Sequence, residues 1–382
     1  MSRAGLRNSN PNMHDKSNVI VLGGSYAGAR AARVLAKELP SSHRVILIEK
    51  NSHMQHLYVL PRYLLLSGHD HKAFIPYNDL FTEFSHNSAE VIQARVDRIT
   101  PTHIEITRLP SDTTDRIPYS HLIYALGSHL PSPLKGMHEE IVGSMKWMEE
   151  YRKKVSNARD IILVGGGALG IRDIAEIFPD KRLLPKYDPK MHELIYDRLR
   201  RLNVDVVAGQ RVTITREGDG DAGTVTTADG RVSASGDLLI TCTGQKYNSS
   251  LLSSLSPSSV HPSNDSVLVR DTLQLADEIF SNVYAVGDVA DTGAPKTGNA
   301  GYWQAETAAR NVIRSIREEA MVPYVMTPPI IKVSVGLRYR VTQQPDENGA
   351  VRVWDDEEGR DDLDAHLMWP LFGAKAVDIL NG

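Results

Sequence analysis

The stretch Ser17 to Asn51, SNVIVLGGSYAGARAARVLAKELPSSHRVILIEKN, restricts the fold of this chain more than any other. An apolar run, Val19 to Leu22, leads into Gly23-Gly24-Ser25-Tyr26-Ala27-Gly28. An alanine-rich amphipathic stretch follows, and a second apolar run, Val45 to Ile48, ends at Glu49. Strand, glycine turn, helix and strand make one βαβ unit. Glycine lets the backbone bend tightly and approach a pyrophosphate, whose charge then rests on the free N–H groups and positive dipole end of the helix. Glu49 stands 21 residues after Gly28, where a carboxylate at the end of the second strand accepts hydrogen bonds from an adenosine ribose. The middle glycine of the usual pattern is Ser25. An ordinary glycine turn is the alternative, and it is set aside on context, since strand, helix and acid all fall at the right places.

With 382 residues the chain has room for two domains and a small appendage. A net charge of −4 with no strongly basic stretch argues against a nucleic-acid partner. The single cysteine, Cys242, excludes an intrachain disulfide and a CxxC pair, and with them the dithiol relay of disulfide reductases. It is expected to be inert packing in a reducing compartment. Residues 1–17 are expected to be a disordered polar segment without a secretory apolar core. Their basic residues leave mitochondrial targeting as an alternative to a cytoplasmic location. Residue 2 is Ser, so the glycine needed for myristoylation is missing. No apolar run approaches a membrane span, so any membrane association is expected to be peripheral.

Beyond Lys50 come five histidines, His53, His56, His69, His71 and His86, whose spacing fits no metal-ligand framework, so no metal is expected. Arg62, after Pro61, offers a planar guanidinium suited to a pyrophosphate, with a plain surface arginine as the alternative. Short runs at Val91 to Val96, His103 to Thr107 and His121 to Ala125 read as an antiparallel meander closing on Gly127. Pro131 and Pro133 mark a domain boundary.

The second domain repeats the plan. Ile161 to Val164 is an apolar strand, and Gly165-Gly166-Gly167-Ala168-Leu169-Gly170 keeps all three glycines of the fingerprint. Runs at Val204 to Ala208, Val212 to Thr215, Thr224 to Thr226 and Leu238 to Thr241 read as another meander closing on Gly244. Two half sites imply two nucleotides. The copies differ after Ile171, where a helix of about two turns leads to Arg182-Leu-Leu-Pro185 and then a helix over Asp188 to Leu202, so the second strand is expected to be missing. The second site then keeps Gly165, Gly167 and Gly170 without the group that reads the ribose.

Leu251 to Asp265 reads as a serine- and proline-rich linker and Val267 to Val269 as a short strand. The strand ending in Gly287-Asp288 brings Asp288 toward the ribityl chain or phosphates of a flavin, or makes it a helix N-cap. A helix spans Ala300 to Ile316, and Lys296 just before it places a cation near a flavin ring. In the tail, Ile330 to Val335 is strand-like and Asp355 to Asp364 reads as a solvated acidic loop. The apolar heptad Leu367 to Gly373 is either core or a membrane- or quinone-facing patch.

GGSYAG with IEKN, HLYVLPRY, KAFIPY, VGGGALGI, RLLPKYDPKMHE, TGQKYNS, VYAVGDVADTGAPKTGNA and MWPLFGAK together resemble fungal apoptosis-inducing-factor-like flavoproteins of the ferroptosis-suppressor type. More distantly they are similar to type II NADH dehydrogenases. The resemblance runs from Val19 nearly to the end. It implies a glutathione-reductase-like α/β fold, two Rossmann-like nucleotide-binding domains with antiparallel meanders and a small C-terminal α+β region. The expected division is an FAD domain over 18–130 and 247–325, an NAD(P) domain over 131–246 and a C-terminal region over 326–382. It further implies FAD held by Gly24, Ser25, Gly28, Glu49, Lys50, Arg62, Val96, Gly127 and Asp288, with Lys296 close by. NADH or NADPH would use Gly165, Gly167 and Gly170 and give hydride to the flavin, which passes electrons to a quinone-type acceptor. Here Ala125-Leu126-Gly127 replaces the usual Ala-Thr-Gly, and after Ile171 relatives carry a further helical turn and the ribose-reading strand. Two rival readings stand beside this one. One is a flavin-binding protein that acts as a structural or signalling partner. The other is a biosynthetic flavoenzyme with another acceptor.

Overall fold

The computed structural model describes residues 16–84, 89–136, 138–167, 176–178, 182–218, 220–243, 245–357 and 359–375. The N-terminal segment up to residue 15, His86, Gly170, Ile171 and Gly244 lie outside them.

The chain opens with strand β1 (Ser17–Leu22), helix α1 (Tyr26–Glu38) and strand β2 (His43–Glu49), the βαβ unit expected from the glycine turn. A small hairpin, β3 (His53–Gln55) and β4 (Phe74–Pro76), brackets the short helix α2 (Leu60–Tyr63). Next come β5 (Ala89–Ile99), β6 (His103–Arg108), β7 (Thr114–Pro118) and β8 (His121–Tyr124). The meander is real, but its third strand is β7, which the polar TDRIP hid among turn residues. His121 to Tyr124 instead returns parallel to β1, between β1 and a later strand at Val283–Ala285. Leu122, Ile123 and Tyr124 are buried, as a central parallel strand covered on both faces requires.

After β9 (Ser128–His129) the chain crosses to the second domain. There α3 (Ile141–Asn157), β10 (Ile161–Val164), β11 (Glu176–Phe178), α4 (Pro189–Arg201), β12 (Val207–Ala208), β13 (Val212–Arg216), β14 (Gly223–Thr227), β15 (Ser233–Gly236) and β16 (Leu238–Thr241) follow. The sheet order β12-β11-β10-β16 is parallel throughout, while β13, β14 and β15 form a separate antiparallel sheet. The runs read as one meander are therefore divided between two sheets. The expectation of a missing second strand is also corrected, since β11 pairs Glu176 with Leu163 and Ile177 with Val164. It lies inside the stretch read as helix, because three residues carry too little pattern to separate strand from helix.

β17 (Lys246–Tyr247) pairs with β9, so both crossings between the domains form one two-stranded ribbon. The segment read as a linker is helix α5 (Ser250–Leu255) and a 3-10 turn at Pro257–Ser259, with Leu252, Ser256 and Ser259 buried. Then β18 (Val267–Leu268), β19 (Val283–Ala285), β20 (Ala290–Asp291) and α6 (Gly298–Ile316) rebuild the first domain. β19 completes a seven-stranded sheet ordered β19-β8-β1-β2-β5-β6-β7. Alternation within its strands makes two cores. Val19, Val21, Val45 and Leu47 pack under the alanines of α1 and α6, and Ile20, Leu22, Ile46 and Ile48 face β5, β6 and α5.

The tail forms an antiparallel sheet, β21 (Ile331–Ser334), β22 (Tyr339–Pro345) and β23 (Val351–Glu357), whose Val333 and Val341 share a core with Met191, Ile195 and Leu199 of α4. The acidic run is not a loop throughout. Asp355 to Glu357 lie in β23, and Asp362 is buried and ion-paired to Lys72 and Arg360. The heptad divides. Trp369 and Phe372 enter the first domain's core, while Leu367 is 64% and Leu371 47% exposed.

Candidate cofactor site

β1 ends at Leu22, between strands that continue to either side, which is where an open α/β sheet leaves a crevice beyond its strand ends. The glycines make that crevice. Gly23 has φ +93°, and a Cβ there would stand 2.6 Å from the Ala125 carbonyl oxygen. A Cβ on Gly28 would stand 1.8 Å from the Gly23 oxygen, so α1 starts closer to the strand than a side chain allows. Ser25 is the N-cap of α1 but makes no capping bond, leaving its helix end to an incoming anion.

Glu49 holds this turn in place. One carboxylate oxygen accepts from the Gly24 N–H at 2.7 Å and the other from the Asn51 N–H at 3.0 Å. On the other side of Gly24, the buried Tyr77 hydroxyl donates to its carbonyl at 2.8 Å. Burial, and secondarily the Glu49 charge, keeps that phenol protonated well above its usual range. The resulting cleft, about 220 Å³, is lined by Gly23, Ser25, Glu49, Lys50, Val96 and Lys135 among others. Glycine turn, acid, Lys50 and Val96 are thus brought together.

Lys135 was not singled out from the sequence. It follows the Pro131–Pro133 crossover, and burial lowers its pKa, with Glu49 and Asp288 opposing that and Lys50 adding to it. Among the described residues it makes no hydrogen bond or ion pair within the protein. Its only sequence signal is a lysine just past a proline pair, which surface lysines share. Arg62, by contrast, is not in the cleft. It is buried and donates to the carbonyls of Leu337 at 3.1 Å and Gly336 at 3.2 Å, clasping the loop between β21 and β22.

Asp288, in a turn after β19, accepts from Ser128 Oγ and Gln245 Nε2, both at 2.9 Å and both to Oδ2. Gly287 before it has φ +78° and donates its N–H to Gln304 of α6 at 2.8 Å. Lys296 bonds the Ala290 carbonyl and lies 5.3 Å over the Tyr247 ring. Burial lowers its pKa, opposed by Asp288 and Asp291. Gly127, with φ +61°, turns the chain out of β8 toward Ser128.

In the second domain Gly165 has φ +131°, and a Cβ there would press on Cys242 and Thr243 at 3.0 Å. A Cβ on Gly167 would meet nothing within 4 Å among the described residues. The N–H of Leu184 donates to the Gly166 carbonyl at 3.2 Å, so the Arg182-Leu-Leu-Pro185 loop rests on this turn.

Two other groupings stand apart. A hollow of about 430 Å³ beside the C-terminal half of α1 is lined by Arg30, Arg33, Lys37 and Arg310 with Glu38 and Glu83, and shares no residue with the cleft. Among the described residues, Asp362, Asp364 and His366 approach closely enough for a cation, but Lys72 and Arg360 already neutralise Asp362. The four of the five histidines that are described, His53, His56, His69 and His71, are not in that group.

The pyridine nucleotide-disulphide oxidoreductase family model matches residues 17–311. The chain belongs to this family. It is 33% identical over 402 residues to Fe-regulated protein 8 of Mycosarcoma maydis, covering 96% of this chain and 97% of that protein. It is 26% identical over 337 residues to ferroptosis suppressor protein 1 of Xenopus tropicalis, covering 83% and 85%. Among solved structures, the sulfide:quinone oxidoreductase of Aquifex aeolicus superposes with a TM-score of 0.72 at 16% identity, covering 94% and 92% of the two chains, which is a likeness of fold. The protein is an oxidoreductase of the FAD- and pyridine-nucleotide-linked class. The disulphide of the family's title has no counterpart, since the chain holds one cysteine.

Proposed function

We propose that this protein is a flavoprotein that takes hydride from NADH or NADPH and passes electrons to a quinone-type acceptor. The observation that carries the flavin half is the cleft itself, where Glu49 and Tyr77 grip Gly24 from both sides and Lys135 stands without a partner among the described residues. FAD, when bound, supplies a ring that accepts hydride and returns electrons. The chain's own residues bind and orient. Glu49 faces the adenosine ribose, the turn from Gly24 to Gly28 and the open end of α1 receive the pyrophosphate, and Lys135 with Lys50 balances its charge. Asp288 meets the polyol chain, and Lys296 the ring. Gly127 and Val96 shape the walls. In this reading the cation foreseen at Arg62 is supplied by Lys135.

Gly165, Gly167 and Gly170 of the second turn receive the nicotinamide nucleotide, and no named residue there decides between NADH and NADPH. The name of the sulfide:quinone enzyme, whose fold this chain shares, supports a quinone-type acceptor. No helix among the described residues is long and apolar enough to cross a membrane. We assign any peripheral membrane contact to exposed Leu367 and Leu371. We keep domain limits at residues 130, 246 and 325, the first two beside the crossing strands β9 and β17.

The short second crossover favours the rival reading, a flavin-binding partner protein without turnover. Anaerobic stopped-flow absorbance separates the two by following the flavin band near roughly 450 nm. Saturable bleaching by one nucleotide is the expected result. A yellow protein bleached by dithionite but by neither nucleotide sinks the reading of hydride transfer from NADH or NADPH and favours the partner protein.

A further inference from the structure

The Asp288 carboxylate is bonded on one side only. Its Oδ2 accepts from Ser128 Oγ at 2.9 Å and from Gln245 Nε2 at 2.9 Å, and these two donors also meet each other at 2.6 Å. Its Oδ1 takes no hydrogen bond among the described residues. A carboxylate offers about four lone-pair sites, so two donors on one oxygen fix the plane and leave the other oxygen ready to accept. Two cations, Lys135 and Lys296, act on the same carboxylate.

The donors come from unexpected places. Ser128 lies in β9 and Gln245 directly precedes β17, the two strands in which the chain crosses between the domains. The ribbon is pinned further at its base, where the Asn248 side chain donates to the Leu126 carbonyl at 2.8 Å and the Tyr124 hydroxyl donates to the Asn248 carbonyl. Ser128 is buried and Gln245 is open to solvent, so the serine carries the larger share of the hold.

We propose that Ser128 and Gln245 are positioning residues that saturate Oδ2 of Asp288 from the interdomain ribbon, so that Oδ1 is presented to a hydroxyl of the flavin's polyol chain. The inference rests on the FAD reading of the cleft. Its consequence is that flavin affinity and the geometry of the interdomain crossing are one coupled quantity. A ribbon that shifts withdraws both donors from the carboxylate at once.

The test uses the full chain, stripped of flavin and titrated with FAD by fluorescence quenching, together with the midpoint potential of the reloaded protein. Ser128→Ala and Gln245→Leu are each expected to weaken FAD binding about three- to tenfold, with the serine variant the weaker binder. Ser128→Thr, which keeps the hydroxyl, restores affinity. In an Asp288→Ala background neither substitution changes affinity further, because the group they act through is gone. The potential stays put in every variant, because a contact to the polyol chain holds oxidised and reduced flavin alike. Equal losses with and without Asp288 overturn the proposal and reduce the pair to ordinary scaffold. Unchanged affinity in both single variants also overturns it. Failure of the unsubstituted protein to bind FAD is a separate result, which removes the flavin reading itself.

Discussion

In the first nucleotide-binding unit the chain uses residues 23–42 to pass from β1 to β2, and in the second it uses only residues 165–175 to pass from β10 to β11. Both crossovers begin with a glycine at positive φ pressed against the chain just leaving the neighbouring parallel strand, Ala125 after β8 behind Gly23 and Cys242 after β16 behind Gly165. After that they part. The first turn is followed by a 13-residue helix with eight buried positions, and it is gripped by Glu49 from β2 and by Tyr77. The second lies near the lower limit for any parallel crossover, about a dozen residues. A phosphate cradle needs its helix end and its strand-end acid together. A glycine turn alone is only the hinge on which they are mounted.

Substitutions break this contrast in order of size. Gly28→Ala drives a methyl group to within bonding range of the Gly23 oxygen, so the start of α1 must move. Unfolding in urea is expected to show a loss of about 3 kcal/mol or more, with no retained FAD. A wild-type midpoint for this variant would show that the first turn is as loose as the second.

A pH titration comes next. Burial pushes His53, in the wall of the cleft, and His121, in β8, each down to about 4. Their unfolded forms take up protons near pH 6.5 and the folded protein does not. Stability present above pH 6.5 is therefore lost as pH falls toward 4, by up to about 3 kcal/mol for each histidine. Melting temperatures across that window check the slope, and the double variant H53N/H121N should flatten it.

Glu49→Gln leaves one of two N–H groups without its charged acceptor, at about 1–2 kcal/mol in the flavin-free protein. It sharpens the contrast because the Glu49 bond to the Gly24 N–H is the grip that the first turn shows. Thr297 accepts from the Ala300 N–H as N-cap of α6, whereas Ser25 makes no capping bond. Thr297→Ala should therefore cost about 1 kcal/mol and Ser25→Ala only a few tenths by denaturant melts. Smallest of all, Gly167→Ala meets no described atom within 4 Å and should stay within about 0.5 kcal/mol. A larger loss there would mean that the second cradle is more tightly built than its surroundings indicate.

The sequence announced the parts of this protein that rest on local pattern. The first βαβ unit, α4, α6 and the Gly287-Asp288 turn were legible because glycine, periodicity and helix ends carry their own signals. Partner choice among strands was not. The run at His121 looked like one more meander strand, and only the closing of the sheet by residues 283–285 shows it as central and parallel. The same limit hid Lys135 and misplaced Arg62, since a cation's address depends on which loop folds back over it. Gln245 had no visible role because its partner, Asp288, is brought to it by the chain's return to the first domain.

That return has a cost in time. β8 is an inner strand of the first sheet, yet its neighbour β19 is encoded far downstream, after the whole second domain. At about 5–20 residues per second of synthesis, the apolar edge of β8 waits on the order of ten to thirty seconds for Val283 to Ala285 to emerge. An uncovered edge strand is a template for pairing with other chains. Until then the nascent chain carries an inner strand of its first sheet as an edge.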